Sequence, residues 1–150
     1  MRIVLQRVSE ASVKIDGSIN GSIDCGLVVL LGIEGADSEL DADWLVSKIA
    51  GLRIFSDAEG KMNLSIQDVN GAFLVISQFT LFASTKKGNR PSYIQAARPE
   101  QAIPLYEYFV SKLKSETKLK VETGVFGADM KVSLINDGPV TISIDSKNKE

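Results

Sequence analysis

Four short segments rich in β-branched residues crowd the first 33 positions: Ile3 to Val8, Ala11 to Ile15, Ser18 to Ile23 and Leu27 to Ile33. Side chains that crowd their own Cβ suit a pleated surface, and the Asp16-Gly17 pair between the second and third segments is the chemistry of a two-residue hairpin. A chain that opens this way must pair its strand edges and cover one apolar face. The later segments are expected to do both. Ser38, as N-cap with Asp41 three residues on, precedes Leu40, Trp44, Leu45 and Ile49 at helical spacing, with Gly51 as terminator. Arg53 to Phe55 resumes as strand, Ser56 to Gly60 has turn composition, and Ala72 to Phe82 carries the strongest strand signal of the chain.

From Ala83 to Pro99 the composition turns polar, which predicts a long ordered loop of the kind that often carries function. A second helix is predicted over Pro99 to Ser115, striped by Leu105, Phe109 and Leu113 and widened by Tyr106 and Val110. Pro104 requires that helix either to start there or to kink there. Lys118 to Thr123, Lys131 to Ile135 and Val140 to Ile144 complete the strands, and residues 146 to 150 are expected to fray as a polar tail. No repeat or composition break divides the 150 residues. The expectation is one α+β domain over 1–150, with mainly antiparallel β-sheets and two principal helices over one face.

Two near-absences narrow the chemistry. The chain has no histidine, which removes Ser-His-Asp and Cys-His catalysis, an imidazole base and nearly all catalytic zinc sites, so no metal and no cofactor is expected. The single cysteine, Cys25, has apolar sequence neighbours and is expected to be a buried thiol. A net charge of −2 argues against a basic nucleic-acid coat but allows local patches. Lys86, Lys87 and Arg90, with Arg98 nearby, form one such group, and Lys112, Lys114, Lys118 and Lys120 a second; either also suits an ordinary solvated surface. The longest apolar run, Gly26 to Ile33, is too short to span a bilayer, and the N-terminal residues do not resemble a signal peptide, so a cytoplasmic protein without membrane contact is expected.

Three segments are candidates for chemistry. Along an extended Ser77-Gln78-Phe79-Thr80-Leu81, the side chains of Gln78 and Thr80 share one face, which suits a polar site and equally a cross-strand pair at a sheet edge. Asn136-Asp137-Gly138-Pro139-Val140-Thr141 has the composition of a turn, with a Gly-Pro bond that is trans by default. Gly124 to Met130 surrounds Phe126 with small residues, which suits either a ring presented to a ligand or a core phenylalanine in a bent strand.

Taken together, these segments resemble the D-aminoacyl-tRNA deacylase family. The likeness runs from Met1 to about Ile144 and is carried by Gln6-Arg7-Val8 with Ala11-Ser12-Val13, Arg53 to Asp57 with Gly60 to Asn63, Ser77 to Leu81, Arg90-Pro91-Ser92, Phe126 to Met130, and Asn136 to Thr141. The resemblance implies a barrel-like β/β/α layered homodimer that needs no cofactor and cleaves D-amino acids, and glycine, from tRNA. It implies that Ser77, Gln78, Phe79 and Thr80 form the catalytic pocket and that Phe126 walls it. It further implies that Gly138 and Pro139, joined by a cis bond, reach into the partner's site and reject L-amino acids. Lys86, Lys87 and Arg90 are then the choice for tRNA phosphate contacts. With no base in the chain, the 2′-hydroxyl of the terminal adenosine helps activate water, and backbone N–H groups near Gln78 and Phe79 hold the carbonyl. The rival reading is a nucleic-acid binding module without catalysis.

Overall fold

Asp16 and Gly17 both have positive φ, 50° and 78°, and make the tight turn expected of them. In the computed structural model, which describes residues 1–150, this turn joins β1 (Arg2–Ile15) to β2 (Ser18–Ile23). There follow β3 (Gly26–Gly32), α1 (Glu39–Gly51), β4 (Phe55–Ser56), β5 (Met62–Leu64), β6 (Ala72–Ser77), a 3-10 turn (Phe79–Phe82), α2 (Pro99–Thr117), β7 (Val121–Thr123) and β8 (Lys131–Asp145). The main sheet runs β2-β1-β3-β6-β7, with β8 on the other edge of β1.

The two helices decide which pairs are parallel. A hairpin cannot bring neighbouring strands parallel, so parallel pairing needs a crossover. The β3–β6 link contains α1 and the β6–β7 link contains α2, and these are the two parallel pairs; β1 pairs antiparallel with β2, β3 and β8, as β4 does with β5. Both helices pack on one face, where 24 buried residues form the main core, among them Leu5, Val29, Leu45, Phe73 and Phe109. Tyr108 and Lys112 of α2 both reach Asp43 of α1, at 2.8 and 3.3 Å, and tie the helices at their edge.

A single extra residue lets the second half of β1 contribute to a second core. Between the pairs Val8↔Asn136 and Glu10↔Ile135, β1 has one residue, Ser9, that β8 does not match. Because strand side chains alternate with period two, one extra residue sends all later ones to the opposite face. Ile3 and Leu5 face the helices and Val8, by ordinary alternation, faces away; the extra residue brings Ala11 and Val13 to the side of Val8, where they join Ile23, Val28, Ala72, Leu74 and Ile76 in a smaller core. The sheet curls around that core until β2 meets β7. The seam is closed by side chains: Asn20 Nδ2 donates to Thr123 O at 2.7 Å and Lys120 Nζ to Ser22 O at 2.9 Å. A Cβ on Gly21 would lie 3.0 Å from Thr123 O, so the close approach depends on glycine. The result is a nearly closed, barrel-like sheet with two helices on its outside.

One sequence expectation is narrowed here and one changes. The helix α2 starts at Pro99, whose missing N–H costs nothing in the first turn, and continues through Pro104, which lies exposed in the second turn. Nor does the tail fray from its first residue. Ser146 is buried, donates from Oγ to Asp41 Oδ1 at 2.8 Å and accepts from the Met1 ammonium at 2.9 Å, and Lys147 Nζ donates to Asp41 Oδ2 at 2.9 Å. Asp41 also accepts the Ser38 N–H at 2.9 Å, as a capping residue should. Burial opposes its charge most strongly, yet hydrogen bonds from Lys147, Ser146 and Ser38 together outweigh burial and hold the carboxyl far below the usual aspartate range.

Candidate active site

The strand β6 ends one residue short of the end of its partner β3. Leu31↔Ser77 is the last parallel pair, after which the Gln78 N–H donates to Leu31 O at 2.8 Å and the chain bends into the 3-10 turn. The extended path expected through Phe82 therefore stops at Ser77, where the chain folds over Gly32: a Cβ on that glycine would lie 3.1 Å from Gln78 O and 3.0 Å from the Leu81 side chain. Gln78 and Thr80 still meet, but through the turn: Gln78 Nε2 donates to Thr80 Oγ1. The turn is closed by Leu81 N–H to Gln78 O at 3.2 Å and Ala83 N–H to Thr80 O at 3.0 Å. Its first N–H groups, those of Phe79 and Thr80, have no partner within it, whereas the Gln78 N–H is committed to Leu31.

Beside this turn opens a cleft of about 290 Å³ at the mouth of the barrel. Ser77, Gln78 and Phe79 form one wall, and Phe126 to Met130 the other. Thr80 is not in the lining; its hydroxyl accepts the hydrogen bond of Gln78, which is. The Phe126 ring is held edge to face against Tyr106, centroids 6.1 Å apart, and the Tyr106 hydroxyl donates to Val75 O at 2.8 Å. Burial drives the tyrosine pKa far up, so this phenol is a fixed neutral donor. In the sequence Tyr106 is visible only as part of the α2 stripe. The available signal was its hydroxyl, which needs a partner when the ring is buried.

Lys86, Lys87 and Arg90 lie outside the cleft on the exposed loop after the turn. The neck of that loop is closed by reciprocal bonds between Ser84 and Ser92 at 2.8 and 2.9 Å. Neither these three cations nor Arg98 takes part in an ion pair. In the second basic group, Lys112 pairs with Asp43 and Lys120 with Glu122.

Gly138 and Pro139 are placed elsewhere. Between the pairs Gln6↔Thr141 and Val8↔Asn136, β1 has only Arg7 and β8 has residues 137 to 140, so the latter bulge out as a hook. The two strands expected from the sequence are thus one, interrupted by this excursion. The Gly138-Pro139 bond is cis, and both residues are exposed. Asn136 pinches the neck: its Oδ1 accepts the Val140 N–H at 2.7 Å, and its Nδ2 donates to Val140 O and Thr141 Oγ1, each at 3.1 Å. A Cβ on Gly138 would lie 2.5 Å from Val140 N, which excludes every other residue. The nearly buried Arg7 holds the base of the hook through two carbonyl oxygens, those of Asp137 and Ile54.

The register fixes how far the hook lies from the cleft of its own chain. Ser77 is level with Leu31 and Ile3, whereas Asn136 is level with Val8. The separation is five residues of strand, about 17 Å, and three strand spacings across the sheet, about 14 Å. Neither Gly138 nor Pro139 lines the cleft. Cys25 lies near the hook rather than in a core. It is exposed at the β2–β3 turn, contrary to its apolar sequence neighbourhood, and partial burial of its sulfur with the Asp137 carboxylate nearby pushes the thiol pKa up.

A family model described as D-Tyr-tRNA(Tyr) deacylase matches residues 4–145. Relatives from Flavobacterium psychrophilum, Cytophaga hutchinsonii and Akkermansia muciniphila, each named D-aminoacyl-tRNA deacylase, are 64%, 63% and 62% identical over 150 residues, which is the whole of both chains in each case. Among solved structures, a c-Myc DNA unwinding element binding protein is 40% identical with a TM-score of 0.91, covering 97% of this chain and 98% of that one. A structure described as a probable eukaryotic D-amino acid tRNA deacylase has a TM-score of 0.81 over 95% of this chain and 97% of its own; at 15% identity it speaks for the fold. The two-helix, barrel-like α+β architecture and these matches define an editing hydrolase that acts on the ester of aminoacyl-tRNA. The chain belongs to the D-aminoacyl-tRNA deacylase family.

Proposed function

We propose that this chain clears D-amino acids and glycine from tRNA in the cytoplasm, as a single-domain protein acting in a homodimer whose clefts are each completed by the partner's Gly138 and Pro139. The supporting observation is the separation of hook and cleft. An exposed segment held by Arg7 and Asn136, yet some five strand residues from the cleft of its own chain, has its natural use in another copy.

Selection by handedness then follows from geometry. With the amino group held by the carbonyl oxygens of Gly138 and Pro139, and the ester carbonyl fixed in the cleft, an L side chain meets the wall and a D side chain points to solvent. Glycine has nothing to exclude. The carbonyl oxygen, which gains charge as water adds, is held by backbone donors. The Gln78 N–H is already committed, so the donors assigned are those of Phe79 and Thr80. Water is activated with the help of the terminal adenosine 2′-hydroxyl, since the chain has no histidine. Thr80 and Gln78 position rather than attack, because no base adjoins the threonine hydroxyl; its hydrogen-bond partner is an amide. Ser77 and Phe126 shape the cleft, and Lys86, Lys87 and Arg90 contact backbone phosphates, which gives affinity without sequence preference. No step in this scheme calls for a cofactor.

The rival reading, nucleic-acid binding without catalysis, draws on the exposed cation loop but gives the cleft no use. Incubation with D-tyrosyl-tRNA and D-aspartyl-tRNA beside the L-charged forms separates the two. Release of the D-amino acids alone is expected. Equal release from L-charged tRNA, or no release from any, overturns the proposal.

A further inference from the structure

The cleft continues outward along an aromatic surface. Phe79 lines the cleft yet is 55% exposed, and its ring meets Tyr93 edge to face with centroids 5.0 Å apart; Tyr93 is itself 39% exposed and lies outside the lining. Two aromatic rings left at a surface forgo the burial that makes such rings stabilising, so their exposure calls for a ligand. Tyr93 directly follows the hydrogen-bonded neck at Ser84 and Ser92, which fixes it relative to the loop carrying Lys86, Lys87 and Arg90. Those three and Arg98 have no carboxylate partner. Cleft, aromatic pair and the neck of the loop that carries the free cations are therefore linked in that order by contact: Phe79 lines the cleft, Tyr93 meets Phe79, and Tyr93 adjoins the neck.

That order matches the single-stranded 3′ end of a charged tRNA: esterified amino acid and terminal nucleotide, then an unpaired base, then the phosphates leading to the stem. Surfaces that bind single strands combine stacking rings with cations along the backbone. We infer that Tyr93, braced by Phe79, is the stacking platform for the unpaired base that precedes the terminal nucleotide. The inference rests on the deacylase reading above and assigns to it a subsite beyond the cleft. Recognition there is by a ring face and so tolerates any base.

The test uses three D-aminoacylated substrates of decreasing length: full tRNA, the 3′-terminal trinucleotide and the terminal adenosine alone. Tyr93→Ala and Tyr93→Leu are expected to raise KM about 5- to 100-fold on the first two, the range that loss of one stacked base gives, with kcat little changed. On the adenosine substrate both variants should match the unmodified protein, and Tyr93→Phe should restore tRNA cleavage. The slope of affinity against salt should not change, because no cation is lost. Equal losses on all three substrates, no loss on any, or an altered sedimentation state in either variant overturns the inference. Failure of the unmodified protein to cleave D-aminoacyl-tRNA at all would instead remove the deacylase reading beneath it.

Discussion

Arg7 donates from Nε to the carbonyl oxygen of Asp137 at 2.7 Å and, through the other arm of the same guanidinium, from Nη1 to Ile54 O at 2.6 Å. One side chain from β1 thus ties the hook on β8 to the segment entering β4. The rigid fork makes both bonds possible at once, whereas an ammonium has no such geometry.

Arg7→Ala and Arg7→Lys are both expected to loosen the hook. Removing a charged donor from two carbonyl oxygens at a largely buried position should cost about 3 kcal/mol, read as a lower melting temperature. The ratio of D- to L-aminoacyl-tRNA cleavage should fall in both variants. An unchanged ratio in a destabilised variant would show that the hook's posture does not govern handedness.

Thr80→Ala removes the acceptor for Gln78 Nε2 and leaves the backbone donors in place. Losing one positioning hydrogen bond should lower kcat/KM by about 3- to 10-fold. A nucleophile's loss would cost about 10⁴-fold or more. The companion measurement is a substrate whose terminal adenosine lacks the 2′-hydroxyl, on which the unmodified protein should be nearly inactive. Full activity on that substrate, with abolition by Thr80→Ala, would reverse the two roles.

Replacing Lys86, Lys87 and Arg90 together with alanine should weaken tRNA binding and reduce the slope of log affinity against log salt by about 2 to 3. The loop neck is made by backbone groups of Ser84 and Ser92, so the fold should be unaffected. An unchanged slope would place tRNA elsewhere.

Asp41 controls behaviour in acid. Its carboxyl joins Ser38, Ser146 and Lys147, and its folded pKa lies well below that of an unfolded aspartate. The stability it contributes is therefore fully present above the unfolded value of about 4 and is lost as pH falls toward the folded one. Asp57, Asp68 and Asp145 are shifted in the same direction, with Asp57 held chiefly by the Lys61 N–H and Asp68 by the Ser65 N–H; at Asp145, burial opposes and is outweighed by Arg2 and the Lys147 N–H. Melting temperature should be flat with respect to these groups from pH 5 to 8 and drop below pH 4. Asp41→Asn should lower stability at neutral pH by about 2 kcal/mol and shrink the acid drop.

Local signals were legible where a few adjacent residues decide the outcome: the Asp16-Gly17 turn, the Ser38/Asp41 cap and the stripe of α2. What escaped depends on distant partners. Gln78 and Thr80 lie in a turn because the parallel ladder stops at Leu31↔Ser77 and the chain folds over Gly32, which the composition of the segment does not reveal. Cys25 is exposed because its sequence neighbours are not its neighbours in space. Arg7 looks like an ordinary strand residue, yet it stands opposite four residues of β8. The site positions were legible only through motif likeness, since no periodicity joins 77–80 to 138–139.

Carrying hook and cleft at opposite ends of one sheet has a genetic consequence. In the proposed dimer, a chain with a ruined hook and a chain with a ruined cleft fail for different reasons, and each retains the half the other lacks. Mixed in one solution, two inactive proteins should assemble some pairs with one intact site, so that activity appears on mixing and is diluted away when the pairs dissociate. Lesions on the two surfaces would then complement each other as though they lay in separate genes.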